Sequence, residues 1–312
     1  MMMGSFLFKQ RAREALKNNW QTALVVTFFS TALVTIVQVL QSVVLQDVQS
    51  VLASLQAFMA TLPQTGELSG DARMQMLELY DMLFKAAAAV PQSTMAGLLG
   101  LNVASLVISP VLSVSCSWYF ICRMKGEEIG AIKGLFARMP VFFKALWLHV
   151  RMFVQIALWS LLFVIPGIIA ALRYSMAVYF LAEEPSISAG EALRRSKAVM
   201  RDKKMTYFML LVSFVGWNLL ISMAQMLLLG LVGQVITLVA AQFMSLAVST
   251  YMNASCAAFY RAVSHPDGMG ELMGSMRSRM RQAGMSESDI NAAGFGDTTQ
   301  IPEEDADGGE EE

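Results

Sequence analysis

Six runs of this 312-residue chain are apolar over most of the length a helix needs to cross a hydrocarbon core of about 30 Å, and that constrains everything else. They lie at about 20–45, 97–122, 142–165, 167–182, 205–229 and 233–260. Lipid offers no partner to a free backbone N–H or C=O, so a segment inside it is a helix or a strand of a closed barrel. These runs are continuous rather than alternating, which selects helices. Charged residues make up 15% of the chain, against about 25% in soluble domains. The predicted fold class is all-α: a polytopic membrane helical bundle with six transmembrane helices, its membrane domain covering 20–262. The basic N-terminus resembles a secretory signal, but its apolar run extends to Leu45, beyond the roughly 7–15 residues of such a core, and reads as an uncleaved first span.

Met152 to Leu172 is uninterrupted and apolar, flanked by Arg151 and Arg173. It fits either one straight span, giving five spans and an exported C-terminus, or a helical hairpin turning at Pro166-Gly167. Charge separates the two. With the hairpin, 19 of the 23 Lys and Arg residues fall on one side; Arg73 and Lys85 lie outside, and Arg151 and Arg173 lie in the spans. The straight span would export the six basic residues of 183–204, against the tendency of basic loops to remain cytoplasmic. The hairpin is the expectation, with both termini cytoplasmic.

All 24 acidic residues fall outside the spans, which argues against a proton-driven transporter and an intramembrane aspartyl protease. Arginine within hydrocarbon costs about 2.5–3.5 kcal/mol on insertion scales. Arg151 and Arg173 must therefore reach protein carbonyls, water or head groups, with an anionic lipid or substrate as the functional alternative.

Small and polar residues recur at helical spacing. Ser105, Ser109, Ser113 and Ser117 share one face, as do Ala241, Ser245, Ser249, Asn253 and Ala257; Thr27, Thr31, Thr35, Gln38 and Ser42 form a looser stripe. Such stripes let helix backbones approach closely, so tight packing is the plain reading and a wet central cavity the functional one. Pro110 is expected to kink the second span by removing a backbone donor.

Outside the spans, 1–19 reads as a cytoplasmic interfacial helix carrying Arg11, Arg13 and Lys17. A second, amphipathic one falls in 183–204, with Arg194, Lys197, Arg201 and Lys204 down one side and Ser188 and Glu191 as a capping box. Basic amphipathic helices of this kind suit anionic lipid head groups, or simply solvate a charged face. Residues 46–96 read as an extracytoplasmic helical hairpin insertion. Its first helix continues the first span to about Met59; its second places Met76, Leu77, Tyr80, Leu83, Phe84 and Ala87 on one face. Residues 263–312 form an acidic, largely disordered cytoplasmic tail. A Glu-Ala-Leu-basic echo (Glu14 to Lys17, Glu191 to Arg194) and a similar lead-in before the third span hint at three units, each an interfacial helix plus a membrane hairpin.

No catalytic constellation, cofactor motif or metal-ligand spacing is present in the sequence; Cys116, Cys122 and Cys256 sit singly in apolar runs, and only two histidines exist. "RAREALKNNW", "IPGIIAALRYSMAVYFLAEEPSISAGEALRRSKAVM" and "AAFYRAV" resemble a bacterial integral membrane family known as "domain of unknown function 975", over about 5–45 and 97–263. The resemblance implies a six-span bacterial plasma-membrane protein and transfers no functional residue. The function expected is non-enzymatic: organising or assisting lipid partners, anionic ones above all, or other membrane proteins, with no nucleic acid. The alternative is a transporter or exporter of a small amphiphilic or anionic molecule.

Overall fold

A computed structural model describes residues 2–61, 70–232, 234–265 and 268–292, and every regular element among them is helical. In chain order these are α1 (Met2–Leu16), α2 (Trp20–Val44), α3 (Gln46–Thr61), α4 (Gly70–Ala89), α5 (Gln92–Met124) and α6 (Ala131–Phe136). A 3-10 turn, Met139–Val141, leads into α7 (Phe142–Leu162), α8 (Val164–Tyr174), α9 (Ala177–Glu183) and α10 (Ala189–Val199). The chain closes with α11 (Lys204–Val232), α12 (Gln234–Ser264), α13 (Gly268–Gln282) and α14 (Glu287–Ala292). Among the described residues, five helical segments are long and apolar enough to cross a membrane: Trp20–Gln41, Gln92–Met124, Ala131–Leu162, Val164–Glu183 and Lys204–Leu228. α12 lies antiparallel to α11, and the Tyr207 hydroxyl, near the start of α11, donates to Cys256 Sγ, near the end of α12, at 3.7 Å.

The chain folds back between α7 and α8, as a hairpin requires. Near the start of α7, Lys144 Nζ donates to the carbonyl of Pro185 at 2.8 Å, and Arg138 Nε to that of Ala182 at 2.7 Å. The bend falls at Phe163, in extended conformation (φ −159°, ψ 149°), rather than at Pro166-Gly167. Proline chemistry explains the offset. Within a continuous helix, the Pro166 ring would clash with the carbonyl four residues earlier, that of Leu162, and would offer it no N–H. α7 therefore ends at Leu162, and Pro166 sits in the first turn of α8, where a missing donor costs nothing.

Buried side chains concentrate at one end of the bundle, where most basic residues also lie; we call it the basic end. Val111 to Met124 of α5, α9, and Ala254 to Tyr260 of α12 form its core. Aromatic rings fill it: Phe8 meets Phe259 edge-on with centroids 5.2 Å apart, and Tyr179 stacks on Tyr260 at 5.3 Å. α1 is part of this core rather than a surface helix. Phe8, Ala12 and Leu16, spaced by four, are buried against α12 and its neighbours. α10 starts as its sequence predicts, with Ser188 Oγ accepting from the Glu191 N–H at 3.2 Å. Ala192, Leu193 and Ser196 face inward, while Arg194, Lys197 and Arg201 stay exposed.

Two expectations for the outer insertion need correction. The first helix does not run on to Met59; it breaks at Leu45, whose N–H closes α2 on the Gln41 carbonyl at 2.9 Å. α3 thereby turns to pair with α4. The inward positions, Val48, Val51, Leu55 and Phe58 against Met76, Leu79, Leu83 and Ala86, alternate spacings of three and four, as in a short antiparallel coiled coil. The face expected to pack is therefore wrong in phase, and Leu77, Tyr80 and Phe84 point outward. Residues 263–292, read as part of the largely disordered tail, are mostly helical where they are described. α12 reaches Ser264, α13 docks through Leu272 and Met276, and Ile290 of α14 is buried; residues 293–312 lie outside the described residues.

Candidate functional site

The serine stripe of α5 and the small-polar stripe of α12 converge on a half-open cavity of about 1040 Å³. Ser109, Ser113 and Ser117 line it from α5; Ser245, Ser249 and Asn253 from α12; and Thr31, Thr35 and Gln38 from α2. Other stripe members lie elsewhere: Thr27 is buried and donates to the Ala23 carbonyl at 2.9 Å, and Ala257 is buried in the core of the basic end. Ser105 is buried and donates to the Asn102 carbonyl at 2.8 Å, and Ala241 is packed without touching the cavity. Thr27, Ser105, Ala241 and Ala257 are thus packed, while Ser109, Ser113, Ser117, Ser245, Ser249 and Asn253 face the cavity. Small side chains leave the gap because the three long helices converge at the aromatic core of the basic end and are not filled in beyond it.

The lining is largely apolar, and its polar groups are uncharged. Serine and threonine hydroxyls donate back to their own helix, as Thr31 does to Thr27 O at 2.9 Å and Ser249 to Leu246 O at 3.0 Å. Their oxygens keep acceptor capacity for an occupant. The side-chain amides of Asn253 and Gln242 make no hydrogen bond to another described residue. No Asp, Glu, Lys or Arg is among the lining residues. An occupant with net charge would find no counter-ion, whereas hydroxyl, amide or ester groups would find partners.

Sequence reasoning missed His149, Tyr179, Cys116 and Asn218 as lining residues. His149 Nδ1 lies 2.9 Å from the Ala145 carbonyl. A carbonyl only accepts, so Nδ1 carries the proton and Nε2 is left as an acceptor. As one of two histidines in the chain, His149 was the available signal, but one ring in one helix does not reveal which neighbour it faces.

Below the cavity, polar contacts tie the basic end together. Glu183 accepts from Lys125 Nζ at 2.8 Å and from the Tyr260 hydroxyl at 2.7 Å, joining α5, α9 and α12. Arg123 is buried and donates to the carbonyls of Glu127 at 3.0 Å and Ala15 at 3.4 Å. Arg195 grips both oxygens of Glu184 at 2.8 Å and reaches Glu191 at 3.0 Å. That guanidinium holds the Glu191 carboxyl below the usual carboxylate range.

The predicted lipid-facing cations divide. Arg11 is taken up by Glu14 and the Met124 carbonyl, each at 3.5 Å, and Arg13 by the Tyr251 hydroxyl at 3.1 Å. Arg194 pairs with Glu191 at 2.6 Å. Lys17, Lys197 and Arg201 are exposed, and Lys204 is half-buried; none has a charged partner among the described residues. Arg151 and Arg173 do not line the cavity. The exposed Arg151 side chain lies against α10, its Nη1 3.1 Å from where a Cβ on Gly190 would sit. The Arg173 carbonyl accepts from Ser196 Oγ of α10 at 2.7 Å. Neither guanidinium makes a hydrogen bond or ion pair to another described residue. Among the described residues no cluster of three His, Cys, Asp or Glu has metal-binding geometry, and the three cysteines are buried and unpaired.

No curated protein and no solved structure matches the chain. Residues 151–267, from the hairpin through α12, match the family model described as "Protein of unknown function (DUF975)", so the resemblance carried by the "IPGIIAALRY" motif is shown over that stretch, while the first 150 residues lie outside it.

Proposed function

We propose that this is a multi-pass protein of the bacterial cytoplasmic membrane that takes a small amphiphile without net charge into the cavity between α2, α5 and α12. The observation that carries this is the cavity itself: about 1040 Å³, lined by hydroxyls and carboxamides, with no charged lining residue. Ligand sites generally combine such a volume with an apolar wall and a few placed polar groups; here Val34, Val39 and Leu246 supply the wall. α12 completes six membrane-inserted segments, arranged as three hairpins, α2 with α5, α7 with α8, and α11 with α12. A basic-end helix precedes each, α1, α6 and α10 in turn, which supports the three-unit reading. Both ends of the chain then lie in the cytoplasm with the basic end. The test is mass spectrometry of what purifies with the protein from membranes. A neutral or zwitterionic amphiphile should be enriched and should be lost from Ser113→Phe and Ser249→Phe, folded variants with the cavity filled. Equal lipid content in filled and parent proteins would refute the reading.

A second reading, a non-enzymatic organiser of anionic lipid or protein partners, is favoured by a different observation. Lys17, Lys197 and Arg201 are exposed without charged partners, and the outward face of α4 presents Leu77, Tyr80 and Phe84. Reproducible recovery of one partner through α4, lost on changing that face to polar residues, would select it.

A further inference from the structure

We infer that the α7–α8 hairpin is a re-entrant wedge: it enters one leaflet from the basic end and turns near the bilayer midplane without crossing. This rests on the membrane reading and is independent of what the cavity holds.

Contacts with charged groups supply an internal ruler. On α12, Tyr251 meets the Arg13 guanidinium, and on α11, Phe214 lies under Lys9 Nζ at 4.5 Å. From those points to the far ends, α12 has residues 234–250 and α11 has 215–232, which is about 26 and 27 Å of helix. That covers most of a hydrocarbon core of about 30 Å. On the hairpin, the corresponding points are Arg151 and Arg173, both beside α10, whose Arg194 and Lys197 are exposed to water or head groups. Beyond them the arms hold only Met152–Leu162 and Val164–Leu172. These reach about 16 and 14 Å, half of the same core.

The tip agrees with that depth. Leu161, Phe163, Val164 and Ile165 are 85%, 72%, 73% and 71% exposed, and no polar side chain interrupts 161–166. A loop emerging into water on the far side would present this apolar surface to solvent, which proteins avoid. In the arms, apart from the Trp159 indole, the polar side chains are Gln155 and Ser160, and Ser160 packs against Gly167 of the opposite arm.

The backbone at the tip leaves few donors open, which matters in lipid, where an unpaired donor has no water to turn to. Only Phe163 leaves the helical conformation. Its N–H bonds the Trp159 carbonyl at 3.2 Å, and the Gly167 N–H bonds the Phe163 carbonyl at 3.3 Å. Of the intervening residues at the start of α8, Pro166 has no N–H to pair, which leaves only the Val164 and Ile165 donors without a backbone partner among the described residues. The partner of this surface is thus acyl chain along both arms, with Arg151 and Arg173 left at the level of lipid phosphates. Four helices, α2, α5, α11 and α12, then cross completely, and both chain ends stay on the same side.

The experiment is depth measurement by spin labelling of the full-length protein in phosphatidylcholine–phosphatidylglycerol vesicles, with the three native cysteines replaced by alanine. Labels are placed one at a time by Phe163→Cys, by Ile165→Cys in case the first misfolds, and by Leu45→Cys and Gln92→Cys at the far ends of α2 and α5. Labels at the tip should collide with oxygen several-fold more often than those at Leu45 and Gln92, and should be shielded from a water-soluble nickel chelate. Nickel access at Phe163 or Ile165 equal to that at Gln92 would mean the hairpin crosses, and would overturn the inference. A tip label reading the head-group zone of the basic side would overturn it equally.

Discussion

Replacing Gly167 by alanine tests the hairpin where its arms are closest. A Cβ built on Gly167 would lie 2.9 Å from both the Cα and the Cβ of Ser160 and nearer still to its Oγ. Rotating the serine hydroxyl relieves only the last of these, because the Cα belongs to the backbone of α7. The arms must therefore separate by several tenths of an ångström along a tightly packed seam. Overpacking of this kind costs about 1–3 kcal/mol, a fall of roughly 5- to 150-fold in the folded-to-unfolded ratio. The same substitution at Gly97 or Gly100 of α5 meets nothing within 4 Å. There alanine's better helix propensity should stabilise by up to about 1 kcal/mol. The assay is reversible unfolding in mixed micelles, followed by circular dichroism. In a double-mutant cycle, Ser160→Gly should couple favourably with Gly167→Ala, restoring part of the loss. If Gly167→Ala is as stable as the parent, or if the three glycines respond with the same sign, the close-packed hairpin is refuted.

Three further outcomes follow from the geometry. Glu183→Ala deprives Lys125 and Tyr260 of their shared acceptor and should cost about 1–3 kcal/mol. Glu184→Ala, which loses the exposed Arg195 pair, should cost less than about 1 kcal/mol; equal losses in the same unfolding assay would deny the tie its structural role. In vesicles, cysteines placed at Ser113 and Ser249 should react with a small water-soluble thiol reagent while one at Ser105 should not, and three inert sites would show a closed or dry cavity. Lysine at both Leu55 and Leu83 should open the α3–α4 coil to protease without moving the unfolding midpoint of the bundle, whereas a large shift would show that the coil supports it.

The membrane architecture was legible in the residues to a large degree. Helix ends follow apolar runs closely, as at Val44, Leu162 and Lys204, because hydropathy and the need to pair every backbone group in lipid act along one dimension. The fold-back of 142–183 was legible too, since the basic residues of 183–204 require it. Even the cap of α10 could be read, because Ser188 and Glu191 interact within one turn. What no single segment encodes is the phase and distance of one helix relative to another. Ser109, Ser113 and Ser117 form the same string whether the facing helix closes on them or leaves a space, and only the assembled α2, α5 and α12 make it a space. Phe8, Ala12 and Leu16 suit a lipid surface as well as a protein interior, and α12 decided for the interior. α4 offered two apolar faces, and α3 chose Leu79 and Leu83 over Leu77 and Phe84. Hydrophobic burial has no direction of its own, so which apolar face is satisfied depends on the partner that tertiary structure brings to it.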